Sequence, residues 1–278
     1  MNWRNYGELM IDTIDFAKKW DKPDLVVGIA RSGIIPATIL ALHWNVSLCS
    51  LQDYINGQFS MGCGLRYQDP KEIKNVMIVD DSIHMGGTIA EAKRLVKKAN
   101  FNHKVGWAVI YADDDKDYEN IIFHKTIRQG RLFQWNWTSH KEMLSHSVWD
   151  IDGCMCVKPT VEQNDDGEKY RKFLLNAPPL YLPQYPINGI VTSRLEKFRP
   201  ETEQWLKKHN VKYKELIMLN YPTGRSRRML GHHAHHKAMQ FKVIKSSFFV
   251  EDELWQAEEI HKITGKHVLC LANWRLYK

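Results

Sequence analysis

Short apolar runs that stop abruptly at acidic or glycine residues recur along this chain, separated by segments of helical spacing. LVVGIA (25–30), NVMIVDD (75–81), VGWAVIYA (105–112), INGIVTSR (187–194), ELIMLN (215–220), SSFFVED (246–252) and HVLCLA (267–272) have the length of strands buried on both faces. Helical patterns fall at 5–20, 34–44, 88–99, 201–209, 233–241 and 254–263, with Pro36 in the first turn of the second. This alternation predicts helices on both faces of a parallel sheet, with ligand sites at the carboxyl ends of the strands. A length of 278 residues suits about two such units. The fold class expected is α/β with two doubly wound domains, 1–144 and 145–278.

Composition excludes several classes. Hydrophobic residues at 44% and charged residues at 26% are ordinary for a globular protein and exclude a disordered chain. No apolar run reaches the roughly 18–20 residues of a membrane span, so no membrane partner is expected. The opening MNWRNYGELMIDTIDF carries Glu8, Asp12 and Asp15, which does not read as a signal peptide. Five cysteines, an odd number without paired spacing, point to a reduced, cytoplasmic protein. With 39 Lys+Arg against 32 Asp+Glu, the net charge of +7 suits an anionic partner without choosing among nucleic acid, nucleotide and sugar phosphate.

The first candidate site is VMIVDDSIHMGGTIAEA (76–92). The apolar strand delivers Asp80 and Asp81 to its end, and Gly86, Gly87 and Thr88 open the next helix. Backbone N–H groups of such a turn, with the helix dipole behind them, bind phosphate. The two carboxylates accept hydrogen bonds from vicinal sugar hydroxyls or help to hold Mg²⁺. The segment thus fits a ribose 5-phosphate.

VDDSIHMGGT resembles the phosphoribosyl-pyrophosphate (PRPP) signature of the type I phosphoribosyltransferases, and the resemblance covers about 1–140. It implies PRPP contacts from Asp80, Asp81, Ser82, Met85, Gly86, Gly87 and Thr88. VVGIARSGIIPA (26–37) resembles the family's pyrophosphate-binding turn, which implies diphosphate contacts from Arg31, Ser32 and Gly33. The glycine-rich stretch 56–70 stands where the family has a closing loop, with Arg66 and Tyr67 as candidate contacts. RLFQWNW (131–137) resembles the segment on which purine members stack the base, which makes Trp135 a candidate platform; a core filler is the alternative reading of that ring.

In the second half, SVWDIDGCMC (147–156) sets Asp150 and Asp152 two apart at a strand end. Alone, D-x-D-G also fits a metal-binding loop or a plain turn. The half as a whole resembles the haloacid dehalogenase (HAD) superfamily of aspartyl phosphatases, a Rossmannoid domain here with a small cap at 157–186. The resemblance implies Asp150 as nucleophile, Asp152 as general acid/base, Thr192 (or Ser193) holding the phosphoryl group, and Lys237 offsetting its charge. It also implies Mg²⁺ near Asp150, Asp152, Glu251 and Asp252, with Asp252 preferred. Arg194 and Arg199 are candidate grips on an anionic substrate. Arg225, Arg227 and Arg228 with His232, His233, His235 and His236 form a basic segment that suits a phosphate-bearing ligand better than a bound transition metal.

The resulting expectation is a bifunctional, Mg²⁺-dependent enzyme. PRPP and a nitrogenous base, a purine by the aromatic segment, give a nucleoside monophosphate and pyrophosphate. A phosphomonoester, such as that nucleotide, is then hydrolysed. The alternative is a PRPP-sensing regulator with an independent phosphatase acting on sugar phosphates or polynucleotide ends. Nucleic acid is a less favoured partner, and a homo-oligomer is expected.

Overall fold

The computed structural model describes residues 1–59, 70–113, 116–128, 130–221 and 233–278. They form two compact units, Asn2–Arg131 and Leu132–Lys278, with Met1 grouped with the latter. The strands in chain order are β1 (Asn2–Arg4), β2 (Leu25–Gly28), β3 (Ser47–Ser50), β4 (Asn75–Ser82), β5 (Lys104–Ala112), β6 (Ile122–Thr126) and β7 (Arg131–Phe133). They continue with β8 (Ser147–Trp149), β9 (Gly189–Leu195), β10 (Leu216–Leu219), β11 (Phe248–Glu251), β12 (His267–Cys270) and β13 (Arg275–Tyr277).

In the first unit, β3-β2-β4-β5-β6 make a five-stranded sheet with every pairing parallel. Its central strands carry Leu25, Val27, Ile78 and Val109, all without solvent contact, because helices cover both faces. The helix Tyr6–Ala17 begins at a reciprocal cap, with the Asn5 side chain accepting from the Glu8 N–H at 2.8 Å and Glu8 accepting from the Asn5 N–H at 2.9 Å. The helices Ile34–Trp44 and Gly87–Ala99 follow β2 and β4 directly. Strand order reverses between β2 and β4, the position at which an open α/β sheet leaves a crevice beyond its carboxyl edge.

The second unit holds a six-stranded sheet, β10-β9-β8-β11-β12-β13, parallel except for the antiparallel edge pair β12–β13. Here the order reverses between β8 and β11. Both chain halves therefore show the α/β alternation expected from the sequence, the first with a wholly parallel sheet and the second with a mixed one. The polar segment after β8 contains the helix Glu168–Asn176, whose start is tied by Asp165 accepting from the N–H groups of Gly167 (2.9 Å) and Tyr170 (3.0 Å).

The units part at Arg131/Leu132, earlier than the boundary near 144. The aromatic segment explains the difference. Trp137 lies flat against Trp149 at 4.7 Å between centroids and 7° between planes, and Trp149 is fully buried. Chain 132–144 thus shares its core with β8. No helix among the described residues is long and apolar enough to cross a membrane. Trp149→Ala should destabilise the second unit by about 3–5 kcal/mol, the usual cost of deleting a buried large aromatic, read by urea denaturation followed in the far-UV.

Candidate active sites

At the first switch point, the turn after β2 meets the end of β4. Ile29 donates its N–H to Val79 O at 2.9 Å, which carries the pairing one residue past β2. Gly33 then passes so close to β4 that a Cβ would lie 2.7 Å from Val79 O and 2.8 Å from Asp80 Oδ1. Only glycine fits there. Ser32 donates its hydroxyl to Asp81 Oδ1 at 2.7 Å, and Ser82 donates to Asp81 Oδ2 at 3.3 Å. Arg31, following a cis Ala30–Arg31 peptide, is exposed beside them. The sequence-expected diphosphate turn and sugar-binding pair are therefore joined.

Burial, reinforced by the neighbouring Asp81 charge, pushes the Asp80 carboxyl up to about 8. A buried pair of adjacent carboxyls of this kind gains from any ligand that brings hydroxyl donors or a cation. Beyond the strand, Gly86 (φ +77°) leads into the helix Gly87–Ala99, and Gly87 and Thr88 are exposed at its start. Met85 is 79% exposed and open to solvent. Arg66 and Tyr67 lie outside the described residues. Trp135 belongs to the second unit, half-buried, with one face stacked on Phe133 at 4.7 Å.

One pair in this turn escaped the sequence reading. His84 Nδ1 contacts the carboxylate of Asp113, which is almost wholly buried while half of the imidazole is exposed. Arg131 holds Asp113 from its other oxygen at 3.1 Å and donates to Ile83 O at 2.7 Å. Lys116 and Tyr118 donate to His84 O at 3.0 and 2.9 Å. His84 lies in sequence between the aspartate pair and the glycine turn, and it lines a cavity together with Met85 and Gly86. An H-x₂₈-D spacing carries no sequence signal, because the pairing depends on β4 and β5 lying side by side.

At the second switch point, β8 delivers Asp150 and β11 delivers Glu251 and Asp252. Lys237, from the helix His233–Val243, lies between them with Nζ 2.6 Å from Asp150 Oδ2 and 2.7 Å from Glu251 Oε2. All three side chains are buried. Burial alone would lower the Lys237 pKa, but the Asp150 and Glu251 charges outweigh it and keep the ammonium. Burial raises the Asp150 carboxyl to about 6 against the pull of Lys237. A Cβ on Gly153 (φ +84°) would fall inside the Asp252 carboxylate, so glycine is what lets the D-x-D-G turn and the β11 acids converge.

The cleft they form has a volume of about 270 Å³ and is lined further by Thr192, Ser193, Lys158 and His233. Thr192 is buried at its floor. Asp150, Glu251 and Asp252 bring oxygens within 4.8 Å of one another, the convergence a divalent cation requires. Glu251 is committed elsewhere: Oε2 accepts from Lys237, and Oε1 accepts from the N–H groups of Asp252 and Glu253 at 3.1 Å. Asp150 is engaged as well, its Oδ2 accepting from Lys237 at 2.6 Å and its Oδ1 from the Ile151 N–H at 2.7 Å, so a cation held by this set would compete with those donors. Asp252 has a raised pKa from burial, opposed by its contact with Lys158, which also pairs with Glu253.

Two sequence assignments change character. Arg194 is not at the mouth. Its side chain is fully buried and clamps Asp152 through both carboxylate oxygens, Nη2 to Oδ1 at 2.7 Å and Nε to Oδ2 at 3.1 Å. Asp152 is not among the carboxylates whose oxygens converge within 4.8 Å. Arg199 pairs with Glu196 and, at 3.2 Å, with Glu203. Cys154 and Cys156 are buried thiols whose pKa values burial raises. His236 is turned inward, its pKa lowered to about 4 by burial and by Lys237. Arg225, Arg227, Arg228 and His232 lie outside the described residues.

Residues 5–139 match the phosphoribosyl transferase domain. The match spans just under half of the chain and takes in the whole Ser32–Asp81 site. Among solved structures, Helicobacter pylori xanthine-guanine-hypoxanthine phosphoribosyltransferase is similar at 16% identity, covering 49% of this chain and 91% of that one, with a TM-score of 0.38. A purine phosphoribosyltransferase from Pyrococcus horikoshii is similar at 20% identity over 48% and 92%, with a TM-score of 0.37. A hypothetical protein from Neisseria gonorrhoeae, solved with bound ppGpp, is similar at 21% identity over 49% and 88%, with a TM-score of 0.36. No curated protein matches the chain.

Lys237→Met should leave Asp150 and Glu251 buried without their cation and cost about 3–5 kcal/mol of stability, measured by chemical denaturation at pH 7. Gly153→Ala should displace Asp252 and weaken Mg²⁺ binding at this cleft at least tenfold, measured by titration calorimetry.

Proposed function

We propose that the first unit transfers the phosphoribosyl group of PRPP to a nitrogenous base, releasing pyrophosphate, and that the second is a HAD-type phosphatase. The observation that carries the first half is the Ser32–Asp81 hydrogen bond at 2.7 Å within the matched phosphoribosyl transferase domain. It couples the turn suited to diphosphate with the carboxylates suited to ribose hydroxyls. In this reading Asp80 and Asp81 hold the sugar, and the N–H groups of Gly86, Gly87 and Thr88, with Ser82 and Met85 beside them, take the 5′-phosphate. Arg31 and the Gly33 turn take the diphosphate. Catalysis is then chiefly positioning and stabilisation of the leaving charge. His84, oriented by Asp113, takes the proton that the base loses as its nitrogen bonds to the anomeric carbon. Arg66 and Tyr67 as lid contacts remain part of this proposal.

In the second unit, Asp150 attacks phosphorus, Thr192 holds a phosphoryl oxygen, and Lys237 offsets the charge of the phospho-aspartate. Lys237 supports this assignment, because it already bonds the carboxylate that would be phosphorylated. Mg²⁺, held by Asp150 and Asp252, would supply neutralisation of the phosphate oxygens. A nucleoside monophosphate is the proposed phosphomonoester, which would make the chain's overall product a nucleoside.

Mass spectrometry of the intact protein with PRPP, Mg²⁺ and a panel of bases tests both halves. Wild type should yield nucleoside, and Asp150→Asn should stop at the nucleotide. Replacing Asp80 and Asp81 together with Asn should lower PRPP consumption at least a hundredfold while phosphate release from an added nucleotide continues. Tight PRPP binding with no pyrophosphate released for any base would instead establish a sensor.

A further inference from the structure

A phosphate-binding turn works only if its peptide N–H groups face the anion. In a trans peptide the N–H points opposite to the C=O of the residue before it. The Ile83–His84 and His84–Met85 peptides are both trans. Whatever holds the carbonyls of Ile83 and His84 therefore aims the N–H groups of His84 and Met85.

Three side chains from outside the turn hold those two carbonyls. Arg131, the first residue of β7, donates from Nη1 to Ile83 O at 2.7 Å. Lys116 Nζ and Tyr118 Oη, from the connection between β5 and β6, donate to His84 O at 3.0 and 2.9 Å. Each donor is itself anchored. Tyr118 packs with Ile121 against the buried core of the first unit. Arg131 and Lys116 both pair with the buried Asp113, at 3.1 and 3.7 Å, and Lys116 also reaches Met85 Sδ at 3.2 Å. Ile83 is tied to the sheet as well, its N–H donating to Tyr111 O at 2.9 Å.

A cavity of about 430 Å³ is lined by Ile89, Ala90 and Lys93 of the helix Gly87–Ala99 and by Lys116, Tyr118 and Ile121 of the connection. Side chains do not fill that space, so the turn meets the connection through hydrogen bonds more than through close packing. Asp113 offsets one of the two cations. The charge that is left polarises the gripped peptides and strengthens their N–H groups as donors.

We propose that Arg131, Lys116 and Tyr118 are positioning residues for the 5′-phosphate of PRPP, aiming the His84 and Met85 N–H groups at it beside those of Gly86, Gly87 and Thr88. The inference rests on the phosphoribosyltransferase reading of this unit and deepens it. Affinity for the sugar-phosphate end of PRPP is set by groups that act on the turn from its carbonyl side. Affinity for the diphosphate end is set separately, by the turn after β2.

The test is titration calorimetry of the full chain with PRPP, ribose 5-phosphate and pyrophosphate, each with Mg²⁺. Tyr118→Phe keeps the packed ring, removes one donor and should weaken ribose 5-phosphate about fivefold. Adding Lys116→Met should bring the loss to about thirtyfold for ribose 5-phosphate and for PRPP, with pyrophosphate changed less than about twofold. Lys116→Arg, which keeps a cationic donor, should retain most of the affinity. A purely structural role would lower all three ligands together. Arg131 stays intact in these variants, because its removal strands Asp113. The proposal is overturned if the double variant binds ribose 5-phosphate as wild type does, or loses pyrophosphate to the same extent. Wild-type protein that binds none of the three would overturn the phosphoribosyltransferase reading and this proposal with it, a result distinct from an error about the three donors alone.

Discussion

A strand buried on both faces of a parallel sheet has no room for an uncompensated charge, and both halves of this chain are organised by that constraint. β4 is apolar until Asp80, β8 until Asp150 and β11 until Glu251, so the acids appear where helical cover ends. In each unit, the acid-bearing strand ends stand beside the reversal of strand order. The end of β4 lies next to β2, and the end of β8 lies next to β11. Neighbouring helices diverge there, and the space between them is left for a ligand.

The two sites manage their buried charge differently. In the second unit, carboxylates are matched by internal cations, Lys237 for Asp150 and Glu251, and Arg194 for Asp152. Such pairs gain little net stability over an apolar core, but they fix geometry, because breaking one leaves a charge stranded. In the first unit, burial and the neighbouring Asp81 charge push the Asp80 carboxyl pKa upward, and Asp81 accepts from two serine hydroxyls. A pair of acids held in this way is receptive to a ligand with hydroxyl groups.

The strands were legible because their runs of Val, Ile and Leu are too short and too apolar for amphipathic helices, and β2, β4, β9 and β11 fall where those runs lie. The helix Glu168–Asn176 was not legible, since its polar sequence reads as loop until Tyr170, Phe173 and Leu174 find a surface to cover. The units part before the boundary near 144 because Trp137 packs among Trp149, Tyr181 and Trp274, contacts which no periodicity encodes. Arg194 shows the same limit for charge. An arginine near the end of a strand reads as solvent-facing, and only the position of Asp152 makes its burial tolerable.

Local sequence sets the order of strands and helices, the placement of the D-D and D-x-D pairs at strand ends, and the glycines that permit close approach at 33 and 153. These are local properties, set by side-chain volume, apolar periodicity and backbone freedom within a few residues. Which carboxylate meets which cation depends on how the strands and helices pack. Lys237 reaches Asp150 across 87 positions, and His84 finds Asp113 across 29. The reason is physical: a buried charge is tolerated only with its counter-charge at hydrogen-bond distance, and the sheet brings that partner from remote sequence.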